Sequence, residues 1–266
     1  MASPAHCETY AWDFRNGHFD NLSLVPMGPG AVNLLRPSRD GLQIIIPAGY
    51  DVKTVGFSPR FKIKGDFEIT LEFTILSRTL PLSGFGTGPS LYLSTGSTHD
   101  SAASLSRVFR PDGRDLYGAF AAQVKDGLRQ PSAKLFEAPF GQPLTGKLQL
   151  KRIKQDIHYS VADHAWSPLR EIAILPMAES EVTLLRIGVS QSDPNSAAKV
   201  ILHNIQVQAD NLPHLPSKEL RTAQLYRPRY QPPPGPQSRR WLWQLLAACG
   251  MASIGGLWGW RRYVRC

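Results

Sequence analysis

Asp66, Glu68, Thr70 and Glu72 stand at alternate positions of one stretch, where carboxylates could share a face. Two carboxylates about 5 Å apart cleave a glycosidic bond with retention, one as nucleophile and one as acid/base. Alternate residues of a strand project from the same side, so a strand can hold such a pair. Here Thr70 interrupts the series. Glu68 and Glu72 lie four residues apart, about 13 Å on a strand, too far to work on one bond. The spacing predicts a solvated strand face and no acid pair.

Other reactive residue types are scattered. His158 and His164 are the closest histidine pair, and no cysteine or third histidine stands at zinc-ligand spacing. Asp193 and Asn195 could offer oxygens to a loop Ca²⁺ site, although a Ser-Asp-Pro-Asn turn explains them without metal. The run Gly84-Phe85-Gly86-Thr87-Gly88 lacks the Lys-Ser/Thr of a phosphate loop and reads as a flexible loop. No Gly-x-Ser-x-Gly is present, and Cys7 has no evident histidine partner. Leu246-Ala247-Ala248-Cys249 matches a lipoprotein cleavage box, but that signal works near an N-terminus. These residues predict neither catalytic nor metal sites.

The charge of +9 is unevenly placed. Residues 211–266 hold nine Lys and Arg against Glu219 alone, which leaves +1 for residues 1–210. A phosphate-binding groove would carry its excess on the folded part, so no nucleic-acid partner is expected. Of the three cysteines only Cys7 lies in that part, which excludes a disulfide framework within it.

Three zones follow from composition. Residues 1–210 read as one domain. Residues 211–240 form a basic linker in which Pro213, Pro216, Pro228, Pro232, Pro233, Pro234 and Pro236 predict an extended spacer. Residues 241–260, WLWQLLAACGMASIGGLWGW, are uncharged and span about 30 Å as a helix, the thickness of the bilayer hydrocarbon. Trp241 and Trp243 at one end, Trp258 and Trp260 at the other, suit the two interfacial belts. A short basic tail, 261–266, follows. Ala248, Ala252 and Gly256 recur every four residues, a spacing that lets such helices associate.

Within the domain the period is two. In 66–76, Phe67, Ile69, Leu71, Phe73 and Ile75 point one way and Glu68, Thr70, Glu72 and Thr74 the other. Residues 147–151 and 156–162 alternate likewise and predict a hairpin around Lys154-Gln155. Further strands are expected at 42–46, 182–189 and 205–209, with turns at 37–41, 111–113 and 192–195. No long helical period occurs. The expected fold is an all-β antiparallel sandwich, with one C-terminal transmembrane helix.

The stretches LRPSRDGLQIIIPAG (35–49), VGFSPRFKIKGDFEITLEFTIL (55–76), GKLQLKR (146–152), IHYSVAD (157–163) and VILHNIQVQAD (200–210) resemble the strands of a concanavalin A-like lectin/glucanase domain, as in laminin-G and pentraxin relatives. Together they are most similar to an uncharacterised planctomycete bacterial family with such a domain, over residues 11–213. Relatives tend to have glycine where this chain has Lys154-Gln155. The resemblance implies a jelly roll and offers no catalytic residues to carry over. It suggests a membrane-tethered, non-catalytic binding module for carbohydrate or a protein partner. The alternatives are a glycan-active hydrolase and a structural protein of the cell envelope. A carbohydrate face would display aromatics on its concave sheet, for which Tyr92, Tyr117 and Tyr159 are candidates.

Residues 1–16 contain no apolar run, and the apolar segment stops six residues before the last one given. The expectation is a C-terminal anchor with the domain in the cytoplasm. A start further upstream with a signal would place the domain on the surface instead.

Overall fold

The computed structural model describes residues 7–96, 101–125, 128–139 and 144–215. Its fifteen described strands form two antiparallel sheets. One runs β13 (Arg170–Pro176), β12 (Asp156–Ala162), β11 (Leu144–Ile153), β6 (Lys64–Arg78), β15 (Ala198–Asn211), β4 (Gly41–Ile46), β3 (Leu35–Ser38). The other runs β10 (Leu128–Glu137), β9 (Asp115–Lys125), β8 (Ser101–Phe109), β7 (Thr87–Thr95), β14 (Val182–Gln191), β5 (Thr54–Pro59), β2 (Leu24–Met27). The eighth strand of the first sheet, β1 (Glu8–Asp13), lies beside β15. The helical pieces described are one turn each, at Phe14–Asn16 and Ala31–Leu34.

β6 is the spine. Phe67, Ile69, Leu71, Phe73 and Ile75 are buried, while Glu68, Thr70, Glu72 and Thr74 alternate on the wetter face. Its neighbours continue the inner layer with Leu148, Leu150, Ile205 and Val207. Val55, Phe57, Leu91, Leu93, Leu105 and Ile187 supply the facing layer from the second sheet. Burying a side chain of this size contributes about 1.5–3 kcal/mol, which holds two sheets face to face without a disulfide.

β15 pairs with β4 through Ala198–Leu202 and with β1 through 204–209, both on the side away from β6. The change of partner falls at a bulge, where His203 bonds Thr74 Oγ1 and the Asp40 carbonyl. β15 also moves the domain boundary. Asn211 is still in the strand, Leu212 is buried and its N–H donates to Glu8, so the first residues of the expected linker belong to the sandwich.

The β11–β12 hairpin turns at Lys154-Gln155, and Lys154 adopts φ +55°. A lysine therefore occupies a left-handed position that glycine would fill at lower cost. Its N–H donates to Asp66 Oδ1 at 2.7 Å, which helps to hold the turn.

The rest of the linker, the apolar segment 241–260 with Trp241, Trp243, Trp258 and Trp260, the small residues Ala248, Ala252 and Gly256, and the tail lie outside the described residues. Among the described residues no helix is long and apolar enough to cross a membrane.

Candidate functional site

The candidate site lies on the outer face of the seven-stranded sheet. Leu91, Leu93, Leu105, Tyr117, Ala119, Ile187 and Phe57 point inward, so the alternate residues of the same strands point out. The register places Phe120 opposite Ser104, Ser104 opposite Tyr92, and Tyr92 opposite Arg186. One row across four neighbouring strands thus reads Phe-Ser-Tyr-Arg. Strands are about 4.8 Å apart, so the two aromatic positions stand about 10 Å apart. The Arg186 guanidinium lies 5.7 Å from the Tyr92 ring centroid.

Small residues flank this row on both sides. Gly118, Ser106, Ser90, Gly188 and Gly56 lie to one side; Ala122, Ala102 and Ser94 lie to the other. Ala122, Ala102 and Ser94 are closed to solvent and Ser90 and Ser106 nearly so, which leaves a trough along the Phe120–Ser104–Tyr92–Arg186 row itself. Among the described outward residues of β9, β8, β7, β14, β5 and β2 there is no carboxylate. Glu137, at the end of the edge strand β10, is the acidic residue at the margin.

Phe85 forms one wall. A Cβ on Gly118 would come within 3.1 Å of the Phe85 ring, so the ring occupies the space that a side chain at 118 would take. The Arg110 guanidinium sits 5.3 Å from the same ring and its Nη1 donates to the Phe85 carbonyl. The glycine-rich loop is also held from the far side. Ser192 Oγ accepts from Gly86 N–H at 2.7 Å, and Asp193 accepts from Leu82 N–H. The expectation of a flexible loop is therefore corrected: side chains and a guanidinium clamp it.

Asp193 also accepts from the N–H and side-chain amide of Asn195. Backbone N–H donors from Asn195 and Leu82 hold its carboxyl below the usual carboxylate range. The pair forms a turn that grips the Phe85 loop, and its oxygens face N–H donors, which leaves a poor cation site. No three His, Cys, Asp or Glu side chains converge as metal ligands among the described residues.

Of the three tyrosine candidates, only Tyr92 lies in the trough. Tyr117 and Tyr159 are buried, and this corrects their assignment to a binding face. Both bridge the two sheets. Tyr159 donates to the Phe120 carbonyl at 2.6 Å, and Tyr117 donates to Asp163 Oδ1 at 2.8 Å. Burial raises both phenol pKa values well above the ordinary range.

Glu68 and Glu72 lie on the outer face of the opposite sheet. Glu68 pairs with Lys151 at 3.7 Å and Glu72 with Arg15 at 2.9 Å. Thr70, between them, accepts from Gln149. Both carboxylates are thus engaged in ion pairs on this half-exposed face. His158 contacts Glu171, and His164 stacks on the exposed Trp166. Cys7 is exposed, with its thiol 3.4 Å from the Ala209 carbonyl.

The family model described as the C domain of a protein of unknown function (DUF1583) matches residues 2–232. The chain belongs to this family. The curated proteins contain no match to its sequence. Several solved structures share the fold of this DUF1583 C domain. SCLam, a non-specific endo-β-1,3(4)-glucanase from family GH16, superposes with a TM-score of 0.53 at 12% identity, covering 79% of this chain and 94% of its own. LamA from Zobellia galactanivorans, solved with laminaritriose and laminaritetraose, gives 0.54 at 10% identity, covering 75% and 97%. The Crh5 transglycosylase in complex with NAG gives 0.52 at 10%, covering 76% and 84%. At such identities the likeness shows the fold alone, a concanavalin A-like β-sandwich in this chain.

Proposed function

We propose that this domain binds carbohydrate in the trough and does not hydrolyse it. The observation that carries the reading is the Phe120–Ser104–Tyr92–Arg186 row on a face whose described residues offer no paired carboxylates. Aromatic rings supply apolar area at small entropic cost, and the serines and arginine supply the few polar contacts that orient a ligand. Retaining hydrolysis needs two carboxylates near one bond, which this face lacks among its described residues. The glycan-active proteins that share the fold support a carbohydrate ligand in broad terms.

The test is a glycan array followed by calorimetry on the protein and its variants. Tyr92→Ala and Phe120→Ala should each weaken binding about tenfold or more, as loss of a stacking ring does. Glu68→Gln and Glu72→Gln should leave binding unchanged and stability within about 0.5 kcal/mol. Release of reducing ends from a bound glycan, abolished in Glu68→Gln or Glu72→Gln, would restore the hydrolase reading.

The second part of the proposal is a membrane tether at 241–260, supported by the length, neutrality and flanking tryptophans of that segment. The full chain should stay with membranes through alkaline extraction. Gly250→Arg with Met251→Arg should release it, because each charge near a helix centre costs about 2.5–3.5 kcal/mol.

A further inference from the structure

One end of the trough closes in a cleft of about 220 Å³, lined by Met27, Gly28, Lys53, Thr54, Gly56 and Arg186 among others. Met27, Gly56 and Arg186 point outward from β2, β5 and β14, so the cleft opens on the same face as the aromatic row. Two of its lining residues are cations and none is acidic. Asp51, two residues before Lys53, is exposed and lies outside the lining. Among the described residues no carboxylate pairs with Lys53 or Arg186.

Lys53 is also held in an unusual backbone conformation. Its φ is +53°, and Thr54 N–H donates to the Val52 carbonyl across it, a three-residue turn. Such turns with positive φ are rare and strained for a residue with a side chain. Gln191 fixes the turn: its N–H donates to the Lys53 carbonyl at 2.7 Å, and its side chain accepts from Val52 N–H. Gln191 is itself buried and donates to the Ser196 carbonyl. Glycine would relieve the strain at position 53, yet a lysine occupies it beside an arginine.

We propose that Lys53 and Arg186 form an anion subsite at the end of the trough, and that the ligand is an acidic glycan carrying carboxylate or sulfate groups. This rests on the reading of the trough as a carbohydrate site and adds the class of sugar. Arg186 lies over Tyr92, so a ring stacked on Tyr92 would bring an acidic substituent within reach of the guanidinium. Lys53 then supplies the second charge from the cleft wall. Arg110, beside Phe85, adds positive potential to the same face.

Two arms test it on the full chain. In the first, inorganic sulfate is titrated while NMR follows the Thr54 amide and the Arg186 guanidinium. Saturable shifts should appear in the native protein and vanish in Lys53→Gly and in Arg186→Gln. Lys53→Gly also separates the roles of the residue: its thermal stability should hold or rise as the strain is relieved, while sulfate binding falls. A Lys53→Gly protein that binds sulfate like the native one overturns the subsite.

In the second arm a glycan array compares neutral oligosaccharides with uronate and sulfated ones. Acidic glycans should be preferred, and each charge substitution should lower their affinity about tenfold, the size of one charge-assisted hydrogen bond. Tyr92→Ala should weaken acidic and neutral glycans alike. Binding of neutral glycans with no acidic preference overturns the subsite and leaves the carbohydrate reading standing. Sulfate binding with no glycan bound overturns the carbohydrate reading and leaves an anion site.

Discussion

Asp115 gathers more buried charge than any other described residue. Arg78 approaches it through two nitrogens at 2.9 and 2.7 Å, and Arg107 through Nη2 at 3.0 Å. All three side chains are at most 8% exposed. Arg107 turns a further donor to the Pro139 carbonyl, so its guanidinium is well served by acceptors. Removing the carboxylate charge would strand two buried guanidinium groups. Asp115→Asn should therefore cost about 3–5 kcal/mol, read as a lower urea midpoint. An unchanged midpoint would mean that water reaches this cluster in solution.

At the scale of elements, turns and loops decide how the strands present their side chains. The β11–β12 hairpin tolerates Lys154 at φ +55° because seven residue pairs of ladder and the bond to Asp66 determine its path. Lys154→Gly should raise stability by about 0.5–1 kcal/mol, the difference between left-handed strain and the extra entropy of glycine. A drop in melting temperature would show that the lysine side chain makes contacts which outweigh the strain. The Phe85 loop follows the opposite logic. Its glycines make the path possible, and Ser192, Asp193 and Arg110 choose one conformation.

Across the whole molecule, two buried tyrosines tie one sheet to the other. Tyr159, on β12, reaches the Phe120 carbonyl of β9, and Tyr117, on β9, reaches Asp163 just after β12. Their folded pKa values are raised, chiefly by burial. A tyrosine in the unfolded chain loses its proton near pH 10. The stability that these phenols contribute is complete below that pH and is lost as pH rises beyond it. Unfolding free energy should therefore fall above about pH 10, and less steeply in Tyr159→Phe. That variant should also lose about 1 kcal/mol at neutral pH, the bond to Phe120. Equal alkaline slopes in both proteins would contradict the linkage. The Phe120 carbonyl belongs to the strand that presents the Phe120 ring, so the staple also fixes the trough.

The period-two pattern was enough to derive the sandwich. In β6 an apolar residue at every second position can satisfy only a half-buried strand, whatever surrounds it. The same arithmetic kept Glu68 and Glu72 apart, because their separation depends on strand geometry alone. The trough could not be read in this way. Phe120 sits in Tyr117-Gly-Ala-Phe-Ala-Ala122, where both faces of the strand are apolar or small and alternation carries no signal. Tyr92 and Tyr159 differ in phase: Tyr92 shares its parity with Ser90 and Ser94 and faces out, while Tyr159 shares its parity with Ile157 and Val161 and faces in. Phe120, Ser104, Tyr92 and Arg186 are neighbours only through the registers of β9, β8, β7 and β14, which bring Tyr92 beside Arg186, 94 positions away in the chain. Lys53 and Phe85 reach the trough through loops anchored by Gln191, Ser192 and Asp193 from the far end of β14. Local sequence determines which face a strand residue can take; long-range pairing alone decides which residues share that face.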